Sequence, residues 1–410
     1  MKIKNLLINQ RQQPLGVDRD PNVSWQLDSE LPQTKQIAYQ IVLRSQGHVV
    51  NDTGRVESCD NSFLSFGAVE WQSLTAYQVE VSVWANHHQM ATASTSFETS
   101  LLDDQEWQGK CMAAPRTPVE RQKGFGKQPP ASLFKQTVEL KDQPVSQARL
   151  LATALGAYQL TVNGKRPDNR ELAPEPSAYR RYLNFQEYDV TDLLHQGPNA
   201  IGMHVGDGWY CGVQTMPPIK DLHPEHAVLF ELIVEYADHT KQVLGSDETM
   251  QWHESPVRSA DLYAGEQYDA NFELPGWDLA ETNTADWQTA KLGSYPFENL
   301  HPQADDPIRP FKEITPKALL KAPNGDQIID FGQVMAGWLQ VAIDEPKGTA
   351  VSFEHTEVLD QNGNYYINTQ SALGVTEQKD VYVSNGKPAV FEPHFTYHGF
   401  RYVRVKGMSS

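Results

Sequence analysis

The sequence predicts an all-β chain built as three tandem β-sandwich domains. Three observations carry that expectation. Helical periodicity is almost absent. Short apolar/polar alternations recur between clusters of Gly, Pro, Asn and Asp. Two breaks divide the 410 residues into pieces of ordinary sandwich size.

The alternation is clearest at Tyr77-Gln78-Val79-Glu80-Val81-Ser82-Val83, which reads as a half-buried strand. Leu160-Thr161-Val162 runs into Asn163-Gly164, a dipeptide that accepts the positive φ angles of a type I′ hairpin turn. Val351, Phe353 and His355 alternate with Ser352, Glu354 and Thr356, and Phe230 to Tyr236 reads as a strand ending at Ala237-Asp238-His239. The clearer break spans residues 103–130, rich in Lys, Arg, Gln, Gly and Pro, with Trp107 placed to pin it to a neighbour. The second, at 299–310, holds Pro302, Pro307 and Pro310 around Asp305-Asp306. The expected organisation is therefore a domain at 1–102, a linker at 103–130, a domain at 131–300 and a domain at 301–410. The first has the scale and strand spacing of a fibronectin III or immunoglobulin-like module, with Trp25 and Trp84 as core candidates.

Composition narrows the function. Hydrophobic residues make up 39% and charged residues 21%, enough to bury ordinary cores. The net charge of −18 repels phosphate backbones and anionic lipid, so nucleic acid and membrane surfaces are not expected partners. A neutral sugar is compatible with it. Cys59, Cys111 and Cys211 form an odd, sparse set with neither a disulfide framework nor paired metal-ligand spacing. With no apolar run of signal or spanning length, the expected compartment is the cytoplasm.

Three stretches could carry chemistry. In Asn163 to Pro174, Asp168 and Asn169 offer adjacent carboxylate and amide oxygens, which suit calcium or paired sugar hydroxyls; the competing reading is an Asx turn that caps local N–H groups. Gly206-Asp207-Gly208-Trp209-Tyr210-Cys211-Gly212 sets glycines around aromatics. Trp209 could present a ring face to the C–H side of a sugar, or pack inside at a strand end. It is no phosphate loop, lacking a Lys-Ser/Thr pair. Glu354, Glu357 and Asp360 surround one strand end, and a glycosidase needs two carboxyl groups across one bond; a solvated acidic rim looks the same in sequence. His394 and His398 stand four apart, but Pro393 argues against the helix that would join them on one metal, so they read as packing or capping residues.

Several ordered segments together resemble the bacterial α-L-rhamnosidases of glycoside hydrolase family 78. They include Pro14-Leu15-Gly16-Val17-Asp18, Ser24-Trp25, Ala38-Tyr39-Gln40, Ser96-Phe97-Glu98-Thr99, Leu172-Ala173-Pro174 and Gly208-Trp209-Tyr210. Further along come Tyr263-Ala264-Gly265-Glu266, Tyr268-Asp269-Ala270, Asp330-Phe331-Gly332-Gln333, Ala336-Gly337-Trp338, His355-Thr356-Glu357-Val358-Leu359 and His398-Gly399-Phe400-Arg401-Tyr402. The resemblance implies a fibronectin-like domain, a jelly-roll domain and a further β-sandwich ahead of an (α/α)6 barrel that carries the acid and base carboxylates. No segment of that barrel is expected within these residues. The chain is thus expected to be an accessory region that cuts no sugar alone, with the barrel as its partner and rhamnose-containing glycans or glycosides as its ligands. By position, Asp168 and Asn169 would be the calcium and sugar ligands that some middle domains of the family use, with Pro217 or Pro218 near. Two alternatives stay open: a free-standing rhamnose-binding protein, and a complete glycosidase sited on the sandwiches near Glu354 to Asp360.

Overall fold

The computed structural model describes residues 1–116, 129–212, 225–296, 299–367 and 378–409, so Pro217 and Pro218 lie outside the described residues. Among these the only α-helix is one turn, Gly208–Cys211, and all else regular is strand or short 3-10 turn. Two compact units emerge.

The first unit comprises Met1–Trp107 with Asn184–Tyr188 and Glu298–Asp306. Its four-stranded sheet runs His48–Asp52, Gln36–Ser45, Ala76–Ala85, Gln89–Glu98, and its three-stranded sheet Lys2–Ile8, Asn22–Asp28, Leu64–Ser65. Tyr77, Val79, Val81 and Val83 are buried as their alternation predicts, and Trp25 joins them in the core. Trp84 does not. Its even position puts it on the opposite face of that strand, half-buried under the Arg55 guanidinium at 4.8 Å. Trp107 does make an anchoring contact, edge-on to Phe185 with ring centroids 5.2 Å apart.

The second unit holds two sandwiches. In the first, one sheet runs Lys291–Leu292, Met112–Ala114, His226–Tyr236, Val145–Leu155. The other runs Ala157–Val162, Gly197–Gly206, Ser132–Leu140, Gln251–Glu254, Gln288–Thr289. Met112–Ala114, within the segment read as a linker, is therefore sheet; its small apolar side chains are fully buried. His226–Tyr236 is buried on both faces, which is why apolar residues fall at both parities, in Ala227–Phe230 and Leu232–Val234, rather than alternating. The expected hairpin is present: Val162 and Lys165 exchange backbone hydrogen bonds at 2.8 and 3.0 Å, and φ is 50° at Asn163 and 77° at Gly164.

The last sandwich centres on a seven-stranded sheet in the order Val257–Asp261, Gly265–Asp269, Lys379–Val383, Ala350–Thr356, His398–Lys406, Gln327–Gly337, Ala318–Lys321. Its first two strands come from before residue 300. Gly265–Asp269 pairs in parallel with Lys379–Val383, and the crossing demands glycine: at Gly265, φ is +112° and a Cβ would lie 2.1 Å from the Lys379 carbonyl oxygen. Alternation in Ala350–Thr356 is only partial. Val351, Phe353 and His355 are buried as predicted, but so are Glu354 and Thr356. Two of the shared segments act as staples here: Asp330 accepts both Nε and Nη2 of Arg401 at 2.8 and 3.0 Å, and Phe331 meets Phe400 edge-on at 5.6 Å.

Candidate functional site: an aromatic and acidic groove

A groove of about 600 Å³ opens in the second unit, within the size range of small-molecule sites. Two stretches form most of it. The strand Gly265–Asp269 brings Tyr268, and the turn after it brings Glu273, Trp277 and Asp278. The strands Lys379–Val383 and Ala389–Phe391 bring Tyr382 and Phe391, followed by Glu392 and His394.

The rings brace one another. Tyr268 stacks on Tyr382 with centroids 5.8 Å apart and planes 6° apart, and Tyr382 leans on Phe391 at 5.4 Å. Trp277, half-buried, stacks on Trp287 at 6.3 Å. Polar groups are held at the rim. Glu392 accepts Trp338 Nε1–H at 2.7 Å and Gln340 Nε2–H at 2.9 Å; Glu273 accepts the Tyr268 hydroxyl at 3.0 Å. His204 Nε2 lies 2.7 Å from Ser255 Oγ. Burial pushes the His204 pKa down to about 3, so the ring is a neutral hydrogen-bonding group. The walls carry three carboxylates and neither Lys nor Arg. Such a wall accepts hydrogen bonds from hydroxyls and repels anions.

Within the wall, His394 sits between carboxyl groups. Burial pulls its pKa down, but Glu171, with Oε2 3.8 Å away, and Glu266 and Glu392 outweigh that and raise it. Glu171 is held below the usual carboxylate range: burial opposes this, and His394 and Arg166 outweigh burial. Glu266 goes the other way, since burial pushes it up to about 7 against His394 and the two N–H groups, of His394 and Phe395, that its Oε2 accepts at 3.0 Å. A carboxyl with that pKa has the protonation of a general acid. Glu266, however, is 1% exposed and absent from the groove wall, so it positions the Pro393 to Phe395 segment instead.

The groove wall contains none of the sequence-selected residues Asp168, Asn169 and Trp209. Asp168 makes an Asx turn: Oδ1 accepts Arg170 N–H at 3.1 Å and Oδ2 accepts its Nε–H at 2.7 Å. Asn169 is exposed beside it. Calcium takes six to eight oxygens. Asp168 already faces the Arg170 guanidinium, and Asn169 would offer one amide oxygen toward that number. Trp209 is half-buried on its single helical turn against a cluster that includes Ala157, Leu172 and Phe395. Glu354 is ion-paired to Arg404 and to Lys406 at 3.2 Å, and the turn amides of Asn364, Asn362 and Gly363 hold Asp360 below its ordinary pKa. Glu354 is thus engaged in ion pairs and Asp360 in its own turn, not set across a bond as a pair of glycosidase carboxyl groups. Sequence reasoning missed the groove because Tyr268 and Trp277 meet Tyr382 and Phe391 only through the parallel pairing of distant strands. Tyr268 did lie in a segment shared with the rhamnosidases, though without a role.

Comparison with known proteins agrees with this architecture. Residues 3–103 match the Rha78A-like, N-terminal immunoglobulin domain, residues 143–312 the α-L-rhamnosidase N-terminal domain, and residues 320–410 the bacterial α-L-rhamnosidase concanavalin-like domain. An α-L-rhamnosidase of Streptomyces avermitilis is 35% identical over 68% of this chain and 27% of its own length. One from Formosa agariphila is 29% identical over 99% of this chain and 46% of its own length. The crystal structure of the Aspergillus terreus enzyme superposes on 100% of this chain and 47% of that one, with a TM-score of 0.88 at 30% identity. The chain thus spans less than half the length of these relatives. Three consecutive rhamnosidase domains, in order and over nearly all its residues, place the chain in the α-L-rhamnosidase family.

Proposed function

We propose that this chain is a sugar-binding, non-hydrolytic accessory region of an α-L-rhamnosidase, and that its groove holds a rhamnosyl unit of the substrate or a sugar next to it. Hydrolysis of terminal α-L-rhamnosyl bonds would then belong to the remainder of such an enzyme. The observation that carries the reading is the groove wall: braced aromatic rings beside three carboxylates, with neither Lys nor Arg in the wall. Deoxysugars offer an apolar C–H face for a ring and hydroxyls for carboxylates. A shallow site of this kind fits millimolar affinity, about −4 kcal/mol.

Calorimetric titration with methyl α-L-rhamnoside tests it. Binding is expected in the wild type and should weaken about tenfold or more in Trp277→Ala, since stacking of a ring on an apolar face contributes about 1–2 kcal/mol. Equal binding in both would reject the groove. Turnover of an aryl α-L-rhamnoside by the purified chain would reject the non-hydrolytic part.

A further inference from the structure

A second cluster lies in the same sheet, on three adjacent strands. His355 comes from Ala350–Thr356, Asp380 from Lys379–Val383 and His398 from His398–Lys406. All three are 0–1% exposed. The imidazole rings stack with centroids 4.1 Å apart. His398 Nε2 lies 3.1 Å from Asp380 Oδ1, and His355 Nε2 lies 3.8 Å from Asp380 Oδ2.

Hydrogen-bond accounting exposes a conflict. His355 Nδ1 lies 3.3 Å from the Gln378 carbonyl oxygen, which can only accept, so Nδ1 carries the proton. In the neutral ring Nε2 then presents a lone pair, and it faces a carboxylate oxygen. Both atoms, His355 Nε2 and Asp380 Oδ2, are buried and without a hydrogen-bond partner among the described residues. Two acceptors facing each other in a dry interior repel. A positive species between them removes the conflict: a second proton on His355 or a metal ion.

Geometry favours the metal. An ion with ligands at about 2.0–2.1 Å in tetrahedral array sets its donor atoms about 3.3 Å apart. His398 Nε2 at 3.1 Å from Asp380 Oδ1 and His355 Nε2 at 3.8 Å from Oδ2 set each imidazole close to that spacing from one carboxylate oxygen. One ligand atom from each of the three residues lies within 4.8 Å of the others. The hydrogen bond from His355 Nδ1 to a backbone carbonyl is the outer contact that orients ligating histidines.

We propose that His355, Asp380 and His398 bind one divalent transition-metal ion of the zinc class, as a structural staple across the three strands. Two imidazoles and one carboxylate are a zinc-type donor set rather than a calcium one. The remaining position would go to water or to Gln378 Oε1, another buried oxygen without a partner among the described residues. The trio Asp207, Cys211 and His226 is not equivalent, because a cation already fills it: Arg116 Nη1 donates to Asp207 Oδ1 at 2.7 Å and lies 2.7 Å from His226 Nε2.

The test is independent of the sugar groove. The full chain is expressed without a histidine tag in zinc- and in cobalt-supplemented medium, and its metal is measured by plasma mass spectrometry. The expected result is about one equivalent per chain. The cobalt form should show visible d–d bands without a thiolate charge-transfer band, which excludes Cys211. His355→Gln and Asp380→Asn should each lose the equivalent, and chelation of the wild type should lower its Tm. Metal-free wild type, a thiolate band, or full metal retention in soluble variants would each overturn the proposal. Should the variants fail to fold, the wild-type stoichiometry and cobalt spectrum decide alone. A ring-nitrogen NMR signature of a doubly protonated His355 would assign the positive species to a proton.

Discussion

Phe395 ties the two sandwiches of the second unit together, and a double-mutant cycle measures the tie. The side chain is 1% exposed and packs edge-on to His204 at 4.7 Å. It also lies directly over Gly206, at the end of the strand Gly197–Gly206 in the other sandwich: a Cβ on Gly206 would sit 2.4 Å from Phe395 Cγ, 2.8 Å from Cβ and 2.9 Å from Cδ1. Phe395→Ala removes a buried ring and should cost about 3–5 kcal/mol. Gly206→Ala forces overpacking and should cost about 1–3 kcal/mol. In the double variant the Cγ and Cδ1 clashes vanish while the 2.8 Å Cβ contact stays, so relief is partial. The double variant should therefore be more stable than the sum of the single effects by about 1–2 kcal/mol, a typical coupling for touching residues. Urea unfolding gives the free energies. Hydrogen exchange on Ala157–Val162 and on His398–Lys406 shows where protection is lost, and Phe395→Ala should reduce it in both. Additive effects, or loss confined to the last sandwich, would refute the view that the two unfold as one body.

Other predictions follow from single contacts. Trp25→Ala should destabilise the first unit by about 3–5 kcal/mol as a core truncation, whereas Trp84→Ala should cost well under half of that, because its ring covers an outer strand face; thermal melting separates them. Rhamnose binding should be the same in calcium and in chelator, and Asp168→Ala should cost about 1 kcal/mol through its lost turn contacts. Calcium-strengthened binding that disappears in Asp168→Ala would restore the calcium reading. The pair Glu171 and His394 should give stability a maximum at intermediate pH. Glu171, lowered in the fold, contributes above its unfolded value of 4.5 and loses that as pH falls through its folded value. His394, raised in the fold, contributes below 6.5 and loses that as pH rises through its folded value. A His394→Gln chain should keep the fall that Glu266, raised to about 7, contributes and lose the share due to His394, and melting curves that remain parallel to the wild type across that range would contradict the pairing.

Local rules made much of the fold legible. Period-two alternation marked Tyr77 to Val83, and Asn163-Gly164 marked a turn whose positive φ angles those residues accept. Parity, properly counted, would also have moved Trp84 out of the core. Strands buried on both faces were less legible: in Ala350–Thr356, Glu354 is covered by Arg404 and Lys406 from a neighbouring strand, and no local pattern announces that. Sites were the least legible. Asp168 and Asn169 were conspicuous because they are adjacent in sequence, and adjacency is what an Asx turn uses. Tyr268 and Tyr382, or His355, Asp380 and His398, become neighbours only through strand order, which turn chemistry and periodicity do not encode.

The two strands that Val257 to Asp269 lends to the last sandwich bear on how such a chain can be divided or inherited. A gene cut near residue 300, where the prolines suggest a seam, would strip that sheet of its outer strands and leave Lys379–Val383 as a bare edge, open to pairing with other chains. The first sandwich would keep a dangling hairpin with no sheet to join. Recombination at that seam would thus be purged by aggregation, and the middle and last sandwiches should travel through evolution as a linked pair. The immunoglobulin-like module closes its own sheets within Lys2–Glu98, so its debt to later sequence is one of packing rather than of strands: Ser100 Oγ donates to Glu187 and Arg11 to the Gln303 carbonyl oxygen.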